Sequence, residues 1–576
     1  MRKSIRKISL AMAVLSVFAV FGSACHSHSF TAKVTTDAYL KSEATCTEGK
    51  LYYYSCECGE KGEETFVVGK PIRHDNTAQV EAEEYVKTAP TCQSGGVYYK
   101  SCTMCGLKSA FTFTSDTLGD HTYAEEVPDG KYLKTEATET SGAVYYKSCV
   151  CGLVGTETFS YGDPLRDYTD EEKAYYKPNS LTVTLYDTEA SLYGFTYNTY
   201  QRPLRPVIQV SEDPSFMHYA EYPAWVEEAT SYSDDDKVMT YYIVKAEVRL
   251  ESSKTYTYRA YDKYVKVGTE LTTLQTKDLS SNTFTFSHVA DTQGYPQAFK
   301  HVLKDVVDTN DFLVHTGDVV ENSKYESDWR GMLNGNFEYL SRIPVMAISG
   351  NHETTYKNGS DETYKHFNNK MVDQETELGY YYSFTYGNAK FIMLNTNRLT
   401  NSSLTTDQYN WLVEELENNT AQWTIVAMHN PMYSAGNYGS DATKNYIALT
   451  LSYQLRGLFA EHGVDVVLQG HDHVVSRTKP IDGEGVAVTE SFETLGGVEY
   501  SVNPKGVYYV MSGTTGGQTR APYAEYNASL YSYAVSSKMS TWTEFTINGS
   551  KLTATVKSAE NGTVSVVKQW GITKKA

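Results

Sequence analysis

Five short apolar runs between residues 284 and 469 each stop at a polar cluster. Residues 284–290 end at Asp291, Thr292 and Gln293, and residues 311–315 at Thr316, Gly317 and Asp318. Residues 343–348 end at Ser349, Gly350, Asn351, His352 and Glu353. Residues 423–428 end at His429, Asn430 and Pro431, and residues 464–469 at Gly470, His471, Asp472 and His473. Short, β-rich runs of this kind predict buried strands, as in a parallel sheet. Between and around them, residues 296–307, 327–340, 406–418 and 446–462 read as helices, the last stopped by Gly463. Strands alternating with helices predict an α/β domain over residues 279–576, and such sheets build their sites at the carboxyl ends of strands.

Upstream the pattern changes. Residues 181–186, 238–244 and 255–260 alternate apolar and polar positions. About seven such strands over roughly 100 residues predict a β-sandwich across 179–278. Residues 161–178 are polar and read as a linker. The tail from 542 to 572 alternates again and is expected to complete the sheet of the α/β domain.

Residues 26–160 hold three repeats. Tyr39-Leu-Lys, Tyr85-Val-Lys and Tyr132-Leu-Lys recur at spacings of 46 and 47, each followed by Tyr-Tyr-x-Ser-Cys and then Cys-Gly. Cysteines cluster here: Cys46, Cys56 and Cys58, then Cys92, Cys102 and Cys105, then Cys149 and Cys151, with Glu139 where a third would fall. His28, His74 and His121 each precede the repeat's tyrosine by 11 residues. Each module therefore carries His, Cys or Glu, and two closely spaced Cys, a four-donor set suited to structural zinc. A disulfide framework, with Cys46–Cys56 and Cys92–Cys102 as the natural pairs, leaves odd thiols and gives the histidines no role. Modules this small need a metal or a bridge in either case. Their expected role is that of surface spacers or beads binding cell wall or surface glycan.

The first 25 residues read as a targeting segment: a basic start, an apolar stretch from Ile8 to Phe21 and small residues before Cys25. Lipidation of Cys25 and plain secretion both stay open; either gives a secreted or cell-surface protein, and only the first links it to a membrane, through a lipid on Cys25. At 576 residues several domains are expected. The net charge of −19 argues against nucleic acid as a partner, but not against a phosphate ester, because bound metal ions would dominate the local field.

Hard and borderline donors gathered from five strand ends are what a two-metal site requires. Singly, Asp291 is a strand-end cap and His429 a satisfied core histidine; in order and together they favour the metal reading. His288, His301, His315 and His462 lack motif positions and are read as structural or exposed. Tyr433 is a candidate for lining a substrate pocket, and residues 513–517 read as a turn near the site.

The ordered motifs Asp291-x-Gln293, Gly317-Asp318, Gly350-Asn351-His352-Glu353, His429 and Gly470-His471-x-His473 resemble those of the calcineurin-like metallophosphoesterases, within them the purple acid phosphatase branch. The resemblance implies two packed mixed sheets flanked by helices, preceded by a fibronectin type III-like domain. It implies that Asp318 bridges two metals, that Asp291, Gln293 and His473 complete one site, and that Asn351, His429 and His471 complete the other. It implies a phosphatase that attacks phosphate monoesters, and diesters as a second class, with a hydroxide generated on the metals while His352 protonates the leaving group. The sequence departs from the branch in two places. Glu321 stands where a tyrosine is usual, and is expected to ligate or to hold water beside the metals. Gln293 stands where many relatives have histidine. Both changes favour two divalent ions, iron, manganese or zinc, over a ferric-containing pair. The rival expectation is a non-catalytic surface-binding protein with a vestigial metal site.

Overall fold

The computed structural model describes residues 28–354, 362–372, 380–439, 446–516, 518–538 and 540–575. The targeting segment expected over residues 1–25, with Cys25, lies outside the described residues. Among the described residues no helix is long and apolar enough to cross a membrane. The chain divides into one unit of residues 1–124 with 148–153 and a second of residues 125–147 with 154–576.

In the first unit, each repeat sequence folds as a short 3-10 turn and three antiparallel strands. Leu40–Ser42, Lys50–Ser55 and Lys61–Val68 form one sheet, and Val86–Thr88, Val97–Ser101 and Lys108–Thr114 the next. Little apolar area is available to each. Tyr52 and Phe66 stack at 6.0 Å in the first sheet, and Tyr98 and Phe113 at 5.7 Å in the second.

The second unit begins with the strands of the third repeat, whose Tyr132, Ala143 and Tyr145 are buried in a small cluster reaching Tyr264. The segment read as a linker contains a helix, Asp170–Tyr176, started by a capping box between Thr169 and Glu172. Two antiparallel sheets follow. One orders Asn179–Asp187, Leu192–Thr199, Val238–Arg249 and Trp225–Tyr232. The other is built around Pro206–Ser211 and Thr255–Asp262. Phe195 of the first meets Tyr258 of the second edge-on at 5.2 Å, so the inner faces share a core.

The α/β region is two mixed sheets of eight and seven strands. In the first, β1 (Thr283–Val289), β2 (Phe312–His315) and β3 (Val345–Ala347) run parallel. Residues 541–548, 551–560 and 563–573 extend it as antiparallel strands beyond β1. In the second, β4 (Ala389–Met393), β5 (Trp423–Met428), β6 (Val466–Gln469) and β7 (Tyr508–Ser512) run parallel. An aromatic core joins the two sheets: Phe286 stacks on Phe312 at 5.4 Å and meets Phe391 edge-on at 5.1 Å. Helices Pro296–Val306, Thr406–Glu417 and Tyr446–Glu461 form over the amphipathic stretches. The stretch 327–340 is two helices, Glu326–Gly335 and Phe337–Leu340, broken at Asn336, whose backbone leaves the helical region at φ −123°.

Candidate metal centre

The polar clusters follow β1, β2, β3, β5 and β6, three strands of one sheet and two of the other, and their side chains converge. Asp318, His429 and His471 offer donor atoms within 4.8 Å of one another. His429 Nε2 is 3.4 Å from Asp318 Oδ1 and 3.0 Å from Asn351 Oδ1. His471 Nδ1 is 2.8 Å from the same Asn351 oxygen. His473 Nε2 lies 3.5 Å from Asp291 Oδ1. Gln293 Nε2 donates to Asp318 Oδ2 at 3.2 Å and stands 3.0 Å from His352 Nε2.

The backbone explains how pairs two residues apart aim at one place. Asp291, Gln293, Asp318, His471 and His473 all have positive φ, between 43° and 74°. Non-glycine residues rarely adopt this region, and here it kinks each strand end sharply. Gly317, at φ +90°, and Gly350 let two of these turns touch. A Cβ on Gly350 would lie 2.0 Å from Asp318 Oδ1, and one on Gly317 would lie 2.4 Å from the Gly350 nitrogen.

A buried carboxylate outside the expected donor set ties the turns together. Glu353 accepts from the amides of Gly350 (2.7 Å), Asp318 (2.8 Å), Val319 (2.9 Å) and Val320 (3.3 Å). Burial pushes its carboxyl up to about 7. Beneath the site, His288 bridges Thr316 Oγ1 and Ser512 Oγ at 2.9 and 2.6 Å, and His315 meets Thr292 Oγ1 at 2.7 Å. Burial drives these imidazoles down to about 3 and about 4. In the segment after β7, Thr514 and Thr515 donate to the carbonyls of Asp291 and Ala290 at 2.7 and 2.8 Å.

The donor chemistry fits cations. Asp318 and Asp291 are fully buried, and their ion pairs among the described residues are with histidines. Burial alone would lower His429, yet Asp318 outweighs it and raises the imidazole to about 9. The same contact with His429 overcomes burial and holds Asp318 well below the usual carboxylate range. Gln293 Oε1 is buried without a hydrogen-bond partner. His429 Nδ1 and His473 Nδ1 meet the carbonyls of Thr316 (2.8 Å) and Gln518 (2.9 Å), which fixes the tautomer and turns each Nε2 toward the carboxylates.

Other candidates are placed differently from the expectation. Tyr433 is buried in the helix–sheet core at 3% exposure, its ring 4.5 Å from Tyr509 and its hydroxyl accepting from Ser452; it packs and does not line an open pocket. The Glu321 side chain is exposed, and the residue acts through its carbonyl, 2.5 Å from His352 Nδ1. His352 therefore turns Nε2 toward the site.

The zinc grouping within single repeats is corrected. Cys46 stands with His74, Cys102 and Cys105, and Cys92 with His121, Cys149 and Cys151. His28 is grouped with Cys56 and Cys58, which are joined to each other as a disulfide. Within a module, Cys46 and Cys56 flank opposite ends of the strand Lys50–Ser55, about 20 Å long at 3.3 Å per residue, so they cannot share an ion or a bond. Glu139 is exposed and joins no cluster.

Residues 284–475 match the family model described as calcineurin-like phosphoesterase. Purple acid phosphatase 15 of Arabidopsis thaliana is 25% identical over 188 residues, 31% of each chain. Acid phosphatase type 7 of Danio rerio is 25% identical over 247 residues, 38% of this chain and 52% of that protein. The chain thus spans about a third to a half of the curated relatives it matches. A purple acid phosphatase from yellow lupin seeds has a similar fold, with a TM-score of 0.58 at 16% identity over 76% of this chain and 80% of that one. The strand-end donors, the paired sheets and these likenesses agree that residues 284–475 form a calcineurin-like phosphoesterase domain of the purple acid phosphatase-like kind.

Proposed function

We propose that the chain is an extracytoplasmic metallophosphoesterase that hydrolyses phosphate monoesters, with diesters as a second class. The observation carrying this reading is the convergence of seven donors from five strand ends, five of them on strained backbone. Asp291, Gln293 and His473 would hold one ion, Asn351, His429 and His471 the other, and Asp318 would serve both. When bound, two divalent ions of iron, manganese or zinc supply Lewis acidity toward phosphoryl oxygens and lower the pKa of water. The chain's own part is to fix those donors before substrate arrives. His352 Nε2, oriented by the Glu321 carbonyl, carries the proton to the departing ester oxygen. The β-sandwich before the site is assigned as the fibronectin-type domain of such enzymes. Retention of the full donor set disfavours a vestigial site.

Asn351→Ala tests the reading. Hydrolysis of p-nitrophenyl phosphate by the full chain should fall by at least about 1,000-fold, with an unchanged circular dichroism spectrum. Unchanged turnover sinks the assignment of the second ion.

A further inference from the structure

We propose that the repeats carry two Cys3His zinc sites, each straddling a repeat boundary: Cys46 with His74, Cys102 and Cys105, and Cys92 with His121, Cys149 and Cys151.

The local geometry is the same at both. Cys46 and Cys92 sit on matching turns, closed by Thr45 N to Glu48 O and Thr91 N to Ser94 O, both 2.8 Å. Each turn precedes its strand and projects a single thiol. Cys102 and Cys149 open the hairpin tips of the second and third repeats, where Gly106 N and Gly152 N donate to their carbonyls at 2.9 and 2.8 Å. The second tip sulfur follows within three residues, as Cys105 or Cys151. Cys46 Sγ comes to 3.4 Å from Cys102 Sγ, and Cys92 Sγ to 3.3 Å from Cys149 Sγ. His74 Nδ1 and His121 Nδ1 lie 3.3 and 3.2 Å from Cys105 Sγ and Cys151 Sγ. In each cluster all four donors fall within 4.8 Å of one another.

These sulfurs are too far apart for a disulfide, whose bond is about 2.05 Å. They are near the edge of a tetrahedron with metal–sulfur distances of about 2.3 Å, roughly 3.8 Å. Three thiols and one imidazole at such an edge are a closed structural zinc set. All six of these cysteines are free, whereas Cys56 and Cys58, which have no partner from another repeat among the described residues, are bonded to each other. The sequence carries the same logic at the other end. Glu139 occupies the third repeat's version of the Cys46 turn, closed by Thr138 N to Ser141 O at 2.8 Å, and its side chain is exposed. The segment after the third repeat supplies no further His-Cys-Cys tip for it to reach.

Cobalt(II) reads these sites separately from the phosphoesterase centre, whose donors include no thiol. The full chain, with its Cys56–Cys58 disulfide left intact and reconstituted with excess cobalt(II), should show thiolate-to-cobalt charge transfer of an intensity matching two sites per chain. Cys46→Ser and Cys92→Ser should each remove about half of that absorbance, and Cys58→Ser should leave it unchanged. Cys46→His, which keeps a fourth donor, should restore two equivalents at lower charge-transfer intensity, separating loss of a ligand from loss of folding. An intensity matching three thiolate sites, or loss with Cys58→Ser and retention with Cys46→Ser, overturns the straddling arrangement in favour of sites within repeats. Absence of titratable thiols in the protein isolated without reductant, then unfolded in the presence of chelator, overturns zinc altogether.

Discussion

The phosphoesterase centre and the repeat clusters solve the same problem in opposite ways. The centre rests on a large core. Its donors leave strands that are buried where they meet the site, braced by phenylalanine rings stacked at 5.4 Å and edge-on at 5.1 Å and by the four amide bonds of Glu353. The repeats have almost no core, a Tyr-Phe stack at 5.7–6.0 Å in each of the first two sheets, and their donors are tied to short turns. In the first region the core sets the donors in place; in the second, on the zinc proposal, the metal supplies the cross-links that so small a core lacks. Strain follows the same division. Five donors of the centre sit in the left-handed region, which a deep core can tolerate. None of the repeat donors does.

The broadest test of this contrast is metal removal. Treatment of the full chain with chelator under reducing conditions should abolish protease resistance in residues 28–160 while residues 179–575 stay protected. Limited proteolysis with mass mapping checks it, and repeats that remain protected break the comparison. Next in size is Phe286→Ala, which should cost about 3–5 kcal/mol in denaturant unfolding of the catalytic region and leave the thiolate–cobalt signal intact. Glu353→Gln is smaller. It keeps the shape but removes the charge that four amides share, and activity should fall about 10–100-fold, with KM changing less than kcat. A fold lost outright would show that Glu353 serves stability more than alignment.

The smallest effect is a pH slope. His288 is held neutral by burial, near 3 against an ordinary 6.5. Its folded value is depressed, so the unfolded chain binds the proton more readily. The associated stability is present above about pH 6.5 and is lost as pH falls toward the folded value, at up to about 1.4 kcal/mol per pH unit. His288→Gln should flatten the fall of Tm between pH 6.5 and 4. An unchanged slope would place the acid sensitivity elsewhere.

The sequence made the strand ends legible because chemistry-bearing residues there interrupt apolar runs. It placed Glu353 in the motif with Asn351 and His352 but did not disclose its role, because its partners are backbone amides that any sequence supplies. Thr514 and Thr515 escaped for the same reason: they hold carbonyls more than 200 residues away in the chain. His288 and His315 were read as structural, but their bracing role depends on hydroxyls brought together only by the fold. Tyr433 follows His429 closely, yet the turn after Pro431 sends its ring into the core. The repeat spacing singled out cysteines and histidines that do cluster, but grouped them within repeats where the structure gathers Cys46 and Cys92 with donors of the following repeat. The strand between Cys46 and Cys56 could have corrected that, since an extended chain of six residues holds its ends apart.

The single thiol on the Thr45–Glu48 turn gives the repeats a direction. Each bead offers one hand forward and a three-fingered grip behind, so an array of n beads closes n − 1 links. Duplicating a bead lengthens the chain and adds one link without redesign of its neighbours. Glu139 is then the end-stop of that grammar, a hand with no grip to reach for.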